Sequence, residues 1–349
     1  MKKEAIVCKK CLKLMPLNKN GEPITKGGIC PTCLREEKTL ENIDWDEKKK
    51  EFENKIESIR GKGDFDGLVM LSGGKDSVYV AYLLSKVYNL KIIGLTIDNG
   101  FEYDNTFKNS SDLAKKLSIS HFIYRLSAEE MREYYKFLLT ENELKEKDCS
   151  QLCFFCGRLL KCMSIKVAKQ LNVAAVFSGH TSEQVRSLGD GEINNPSAEI
   201  LKKMIKNQEV IKYNKAIKCL NHCGKESLIH LFEDNIEVNN FDRTIYPLQY
   251  FHYKPLEIVE LLKREVGWEA DSNFSKKYIS SGCKLSKLLE YIAYKNGTDT
   301  YVEREFSDQI RRGSMTKEEV EEILASKVEK HNEVDELMRV LSIKENELF

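Results

Sequence analysis

The sequence predicts an α/β protein built on a doubly wound parallel sheet, and three observations carry that expectation. Short β-rich runs alternate with helical stretches: LVML (68–71), KIIGLTI (91–97), HFIYRL (121–126) and VAAVFS (173–178). Strands separated by helices imply right-handed βαβ crossovers and a parallel sheet. The first run leads directly into LSGGKDS (71–77), and a helical pattern follows. A glycine-rich turn between a buried strand and a helix N-terminus cradles phosphate. Finally, the residues that carry chemistry fall at the carboxyl ends of these runs, where such sheets bind ligands.

Before the sheet comes a different unit, expected at 1–36. It holds CKKC (8–11), eighteen intervening residues and CPTC (30–33). Two C-x-x-C knuckles at that spacing fit a zinc ribbon, with Cys8, Cys11, Cys30 and Cys33 as ligands. The alternative is four buried free cysteines. Between the knuckles, Asn20-Gly21 and Gly27-Gly28 are turn signals of a hairpin. Residues 1–33 hold seven lysines against two glutamates, which reads as a solvated face rather than a nucleic-acid contact.

Residues 37–63 read as a connector helix. Trp45, Phe52, Ile56 and Ile59 recur at helical spacing, Asp44 is placed to cap, and GKG (61–63) ends the pattern. The sheet domain is expected at 64–250, with helices at 76–88, about 105–117, about 128–140 and 157–171. RSLGDGEINNPSAEI (186–200) reads as a loop. The remainder, 251–349, reads as helical, with a capping box of Thr316 and Glu319.

Charge and cysteine usage narrow the function. Lys+Arg and Asp+Glu are both 55, so the net charge is zero, which does not favour large-scale nucleic-acid binding. No apolar run reaches the length of a membrane span. The start, MKKEAIVCKKC, lacks the apolar centre of a signal peptide, so a cytoplasmic protein is expected. In a reducing compartment eleven cysteines point to metal or catalytic roles rather than disulfides. The six histidines are scattered, and no Ser-His-Asp signature accompanies them.

Within LSGGKDS, Gly73 and Gly74 let the backbone approach phosphate oxygens, Lys75 adds a point charge, and Ser72 and Ser77 add hydroxyls. The spacing is neither G-x-x-x-x-G-K-[ST] nor G-x-G-x-x-G. The bland alternative is a plain strand-to-helix turn. The motif S-G-G-x-D-S, matched by Ser72, Gly73, Gly74, Asp76 and Ser77 with Lys75 at its variable position, resembles the pyrophosphate loop of the PP-loop ATP pyrophosphatases. These form the adenine nucleotide alpha hydrolase-like (HUP) group. The resemblance implies cleavage of ATP between the α and β phosphates, transfer of AMP to a carbonyl oxygen, and a catalytic role for Lys75, Asp76 and Ser77. It makes Asp76 a magnesium partner or loop organiser. It places adenosine near Asp98 and makes Gly179 and His180 part of the nucleotide site. Thiolating members often carry an acidic pair after that Gly-His; here Ser182 and Glu183 follow.

Two further resemblances concern the group that replaces the activated oxygen. The ribbon, IDW (43–45), the loop and IRRGSMTKEEVEEIL (310–324) together resemble N-acetyl sugar amidotransferases, which convert acetamido to acetamidino groups with ammonia from a glutaminase partner. The segment CSQLCFFCGRLLKC (149–162), with Gly179-His180 after the next strand, resembles iron–sulfur-dependent tRNA thiolation enzymes. That likeness implies a [4Fe–4S] cluster on Cys153, Cys156 and Cys283, one iron being left open for sulfide. Three other readings of these cysteines stay open: a second zinc knuckle completed by Cys219 and Cys223, a redox pair, and inert thiols. Cys149 and Cys162 read as bystanders.

The expected function is therefore an ATP-dependent, AMP-forming enzyme using ATP, Mg²⁺, Zn²⁺ and a [4Fe–4S] cluster to insert sulfur into a tRNA base or a small molecule. Amidotransfer to an N-acetyl sugar is the alternative enzyme, and a non-catalytic nucleotide-binding regulator is the alternative outside enzymology. A sulfur donor, a glutaminase subunit and a second copy of the chain are the protein partners these readings allow.

Overall fold

The computed structural model describes residues 6–40, 43–188, 198–232, 244–270, 282–325 and 332–349. Its centre is a five-stranded parallel sheet in the order β3-β2-β1-β4-β5. The strands are β1 (Gly67–Met70), β2 (Ile92–Asp98), β3 (Ser120–Arg125), β4 (Val176–Ser178) and β5 (Thr244–Ile245). The chain moves outward from β1 through β2 to β3, then returns to the other side of β1 with β4. A doubly wound sheet opens its ligand crevice at such a reversal, beyond the carboxyl ends of β1 and β4.

Alternation along the strands builds two cores. Leu68, Ile93, Leu95 and Val176 face one layer, with Ile165 and Ala168 of the helix Ser150–Gln170 (α6). Their neighbours Val69, Ile92 and Phe177 face the other. There they meet α2 (Trp45–Ile59), α3 (Lys75–Tyr82), α4 (Asp104–Leu117) and α9 (Pro255–Val266). Successive side chains of a strand point to opposite faces, so near-continuous apolar runs are what a sheet covered on both sides requires.

The helices beyond the sheet are α1 (Pro31–Leu40), α5 (Ala128–Thr140), α7 (Ser182–Leu188), α8 (Ala198–His222), α10 (Leu285–Lys295), α11 (Tyr301–Arg311), α12 (Lys317–Ala325), α13 (Asn332–Val340) and α14 (Glu345–Leu348). A third, aromatic-rich core joins α5, α6 and α8 to α10 and α13, through Tyr134, Tyr135, Phe155, Tyr213, Phe232, Leu288 and Leu337.

Several local expectations hold. Asp44 caps α2 by accepting from the backbone N–H of Asp46 and Glu47. Thr316 and Glu319 exchange the two bonds of a capping box. The turn at Gly21, and the pair Gly27 and Gly28, have positive φ. Others need correction. α6 begins at Ser150 rather than 157, so Cys153 and Cys156 lie within a helix and not ahead of one. α3 starts at Lys75 and passes at Leu83 into a π-helical turn. α1 starts beside Cys30 and runs across residue 36, so helix begins inside the ribbon segment. Arg186–Leu188 are helical, while most of the loop expected after them lies outside the described residues. β5 escaped the sequence reading because two residues carry no periodicity. Among the described residues no helix is long and apolar enough to cross a membrane.

Candidate active site

The phosphate loop is held in one shape by its own atoms and by distant ones. Gly73 has φ +70°, and a Cβ there would lie 2.2 Å from the Thr106 carbonyl oxygen. Only glycine meets both demands. The Gly73 carbonyl accepts from Trp268 Nε1 at 2.9 Å and from Asn109 Nδ2 at 3.4 Å. Gly74 is the N-cap of α3. Ser77 Oγ donates to the Gly74 carbonyl at 3.0 Å and accepts from the Ser72 N–H at 3.1 Å. These bonds close the loop over the first turn of α3, where the N–H groups that begin a helix and its dipole favour an anion.

Lys75 and Asp76 pair with each other. Lys75 is 2% exposed, and its Nζ lies 2.7 Å from Asp76 Oδ2. The other carboxylate oxygen accepts from the Tyr253 hydroxyl at 2.7 Å. Gly179, after β4, packs on the same loop, because a Cβ there would lie 2.6 Å from the Ser77 nitrogen. His180 Nδ1 is hydrogen-bonded to Ser178 Oγ, and its ring meets Tyr246 edge-on.

Beyond the loop opens a cavity of about 500 Å³. Ser72, Gly74, Lys75, Asp76 and Ser77 line one wall, and Gly179 and His180 continue it. Cys153, Cys156 and Cys283 line the same cavity. α6 supplies the first two. Cys283 arrives on a segment stitched to the end of β2: the Tyr103 N–H donates to the Gly282 carbonyl at 2.8 Å, and the Lys284 N–H to the Phe101 carbonyl at 2.7 Å. Gly282 is required there, since a Cβ would lie 2.3 Å from Thr106 Oγ1. Asp98 ends β2 as expected but is not among the cavity-lining residues. Its carboxylate accepts from the Gly100 N–H and pairs with Arg125.

The three thiols sit in a poorly solvated place. Cys153 retains accessible surface, but that surface opens into the deep cavity. Burial pushes its thiol up to about 12, with Cys156 adding to the rise. Burial pushes Cys156 up to about 11, against a hydrogen bond with the Tyr135 hydroxyl at 3.1 Å. Burial, then Glu102 and Cys156, raise Cys283. A bound cation reverses that preference, since coordination deprotonates a thiol outright. Their sulfurs do not converge as single-ion ligands do. Among the described residues the group that does converge is Cys8, Cys11, Cys30 and Cys33, all within 4.8 Å. The alternative second zinc knuckle of Cys153, Cys156, Cys219 and Cys223 is therefore not assembled.

The ribbon cysteines fit a tetrahedral ion. Cys8 and Cys33 sulfurs are 3.9 Å apart, and Cys11 and Cys30 sulfurs 3.8 Å. Metal–sulfur bonds of about 2.3 Å in a tetrahedron require edges of about 3.8 Å. The Cys30 N–H points at Cys8 Sγ and the Cys33 N–H at Cys30 Sγ. Burial raises the Cys8 thiol, but backbone hydrogen bonds from Cys30, Cys11 and Lys10 outweigh it and hold the group at about 7.

Sequence reasoning missed several cavity residues. Glu305 of α11 is buried; it accepts from Gln184 Nε2 at 3.1 Å and Gln309 Nε2 at 3.3 Å. Burial pushes its carboxyl up to about 7, against the nearby charge of Lys75. Glu102 is also pushed up to about 7 by burial, with Asp98 adding to the rise. Asp148 and Arg304 form an ion pair on the cavity wall. No local motif marks these residues or Tyr253.

A parallel doubly wound sheet with a glycine-serine cradle at its crevice is the arrangement of a nucleotide-binding α/β domain. Residues 48–210 match the family model described as NAD synthase. An uncharacterized protein of Methanocaldococcus jannaschii is 26% identical over 165 residues, 47% of this chain and 53% of its own length. The chain thus spans about half the length of the curated relative it matches. Among solved structures, the U34-tRNA thiolase NcsA from Methanococcus maripaludis with its [4Fe-4S] cluster is similar at 20% identity. That match covers 98% of this chain and 89% of the other, with a TM-score of 0.37. The NH3-dependent NAD synthetase from Campylobacter jejuni is similar at 17% identity, over 57% of this chain and 96% of the other, with a TM-score of 0.32.

Proposed function

We propose that the chain is an ATP-dependent, AMP-forming enzyme that activates a carbonyl or amide oxygen of its acceptor and replaces it with sulfur. The acceptor is a tRNA base or a small molecule. In this reading Cys153, Cys156 and Cys283 hold a [4Fe–4S] cluster, and Cys8, Cys11, Cys30 and Cys33 hold zinc. The supporting observation is that the phosphate loop and the three cysteines line one cavity. Three thiols suit a cluster with one iron free of protein ligands.

The chain's own residues account for the first step. The loop N–H groups, Ser72, Ser77 and Lys75 hold the departing pyrophosphate, and Asp76 is placed to share Mg²⁺ with phosphate oxygens. The acceptor oxygen attacks the α phosphorus, the bridge to the β phosphate breaks, and pyrophosphate leaves into the loop. The oxygen now departs with AMP when a nucleophile adds to its carbon. A cluster held by Cys153, Cys156 and Cys283 would supply the sulfur that replaces the oxygen.

Metal analysis of anaerobically purified protein tests the reading. Brown protein containing iron, sulfide and zinc is expected. Colourless protein with zinc alone would sink the sulfur step and favour nitrogen as the nucleophile.

A further inference from the structure

A set of buried charges joins the ribbon to α11. The Arg311 side chain is 4% exposed. It donates from Nε to Glu36 Oε2 at 3.1 Å, from Nη2 to Asp308 Oδ1 at 3.0 Å, and from Nη1 to Cys11 Sγ at 3.6 Å. Glu36 and Cys11 belong to the ribbon segment; Asp308 is on α11 itself. Arg186 of α7 reaches the same two carboxylates, at 3.7 Å from Glu36 and 3.6 Å from Asp308. The Leu14 N–H donates to Asp299 Oδ1 at 3.1 Å, just ahead of α11. Ile310 packs against the ribbon's thiol core.

The other half of α11 faces the cavity. Tyr301, Arg304 and Glu305 line it. Asp308 lies one turn beyond Glu305, so a shift of the helix at its ribbon end moves both groups. A helix transmits displacement because its hydrogen-bonded turns resist bending.

We infer that the ribbon braces the active site, with Arg311 as the positioning residue that ties Cys11 and Glu36 to α11 and so holds Arg304 and Glu305 in place. The charges explain why arginine serves here. Four thiolates around one divalent ion leave about two negative charges. Glu36 and Asp308 add more anionic groups to the same buried spot. A planar guanidinium satisfies several acceptors at once in a fixed fork, which an ammonium does not. Through Arg311 a change in the ribbon is carried along α11 to Arg304 and Glu305 on the cavity wall.

The inference draws on the ribbon metal of the preceding reading but not on the chemistry of Cys153, Cys156 and Cys283. Its test uses the full chain with three readouts: zinc content, hydrogen exchange of residues 301–311, and affinity for an ATP analogue with a methylene α–β bridge. In Arg311→Gln, residues 301–311 are expected to exchange about tenfold faster. Zinc should be held about 10- to 100-fold more weakly, the usual effect of losing a partner to a metal ligand. The analogue should bind more weakly than to wild type. Lys10→Ala, which removes an exposed ribbon ion pair, should leave exchange of 301–311 and analogue affinity unchanged. Unaltered exchange and affinity in Arg311→Gln overturn the brace. Should that variant fail to fold, chelation of the wild-type ribbon metal decides: faster exchange that spreads to 301–311 supports the brace, and faster exchange confined to 6–40 overturns it. Wild-type protein without zinc would overturn the metal assignment independently of the Arg311→Gln result.

Discussion

The Tyr253 hydroxyl donates to Asp76 Oδ1 over 2.7 Å, linking residues 177 positions apart. With Lys75 on the other oxygen, at 2.7 Å, the Asp76 carboxylate is held from both sides at the start of α3. Tyr253→Phe removes one of these bonds and keeps the ring. A hydrogen bond to a charged group contributes about 1.5–3 kcal/mol, so pyrophosphate release should fall about tenfold or more in kcat/KM. Steady-state pyrophosphate assays over a magnesium series read this. Equal rates in the two proteins would show that Tyr253 does not orient Asp76.

Cys283→Ala should separate the two metal sites. Cys283 lines the cavity, whereas the ribbon cysteines converge elsewhere on their own point. Iron and visible absorbance should drop to near background while zinc stays at the wild-type ratio. Binding of an ATP analogue should persist, because Cys283 lies outside the phosphate loop of residues 72–77. Elemental analysis beside an absorbance spectrum checks both, and iron retained in full would remove Cys283 from the ligand set.

Gly73→Ala should damage the loop and the fold together. At φ +70°, with its Cβ 2.2 Å from the Thr106 carbonyl oxygen, alanine forces the loop away from α4. A non-glycine residue in such a conformation costs about 1–3 kcal/mol, and the clash adds to it. Urea unfolding should show a lower midpoint, and calorimetry should show loss of nucleotide binding. Gly74→Ala is the contrast: the nearest atom to its added Cβ is Ser72 Oγ at 3.5 Å, an ordinary contact.

Glu305 gives the protein a pH dependence of definite sign. Burial raises its carboxyl from the ordinary 4.5 to about 7 in the folded chain. Between those values the native state keeps a proton that the unfolded state has lost. Stability from this group is therefore greatest at acid pH, falls as pH rises through the window, and levels off above about 7. The slope is about 1.4 kcal/mol per pH unit for one fully shifted group. Glu305→Gln should make that part of the profile shallower in urea unfolding between pH 5 and pH 7, the remaining slope coming from groups such as Glu102 that burial raises into the same window. A wild-type slope retained in the variant would mean that Glu305 is ionised throughout.

Much of the fold was legible in the sequence because its signals are local. LVML and VAAVFS are short apolar runs between breakers, and a strand covered on both faces needs that composition. The S-G-G-x-D-S spacing needs one turn and one helix start to take its shape. The paired C-x-x-C knuckles aim their thiolates through the geometry of four residues each. The error at α6 is also local in origin: the sequence reading began that helix after Cys153 and Cys156, but packing of Leu152 and Phe155 into the third core extends it back to Ser150. Tertiary burial outweighs weak local propensity there.

What the sequence by itself determined was the set of parts: a parallel sheet, a phosphate loop on its first strand, and a four-cysteine knot ahead of it. Each follows from contacts among residues close in the chain. Only the tertiary structure decided which distant groups meet those parts. Cys283 reaches the cavity because Gly282 fits against Thr106, Tyr253 reaches Asp76 from beyond β5, and Glu305 enters on a helix anchored at its far end to the ribbon. These meetings depend on how whole helices pack, and their free energy is spread over many apolar contacts with no sequence period in common. A local pattern therefore cannot encode them, and the site is completed only when the chain is folded.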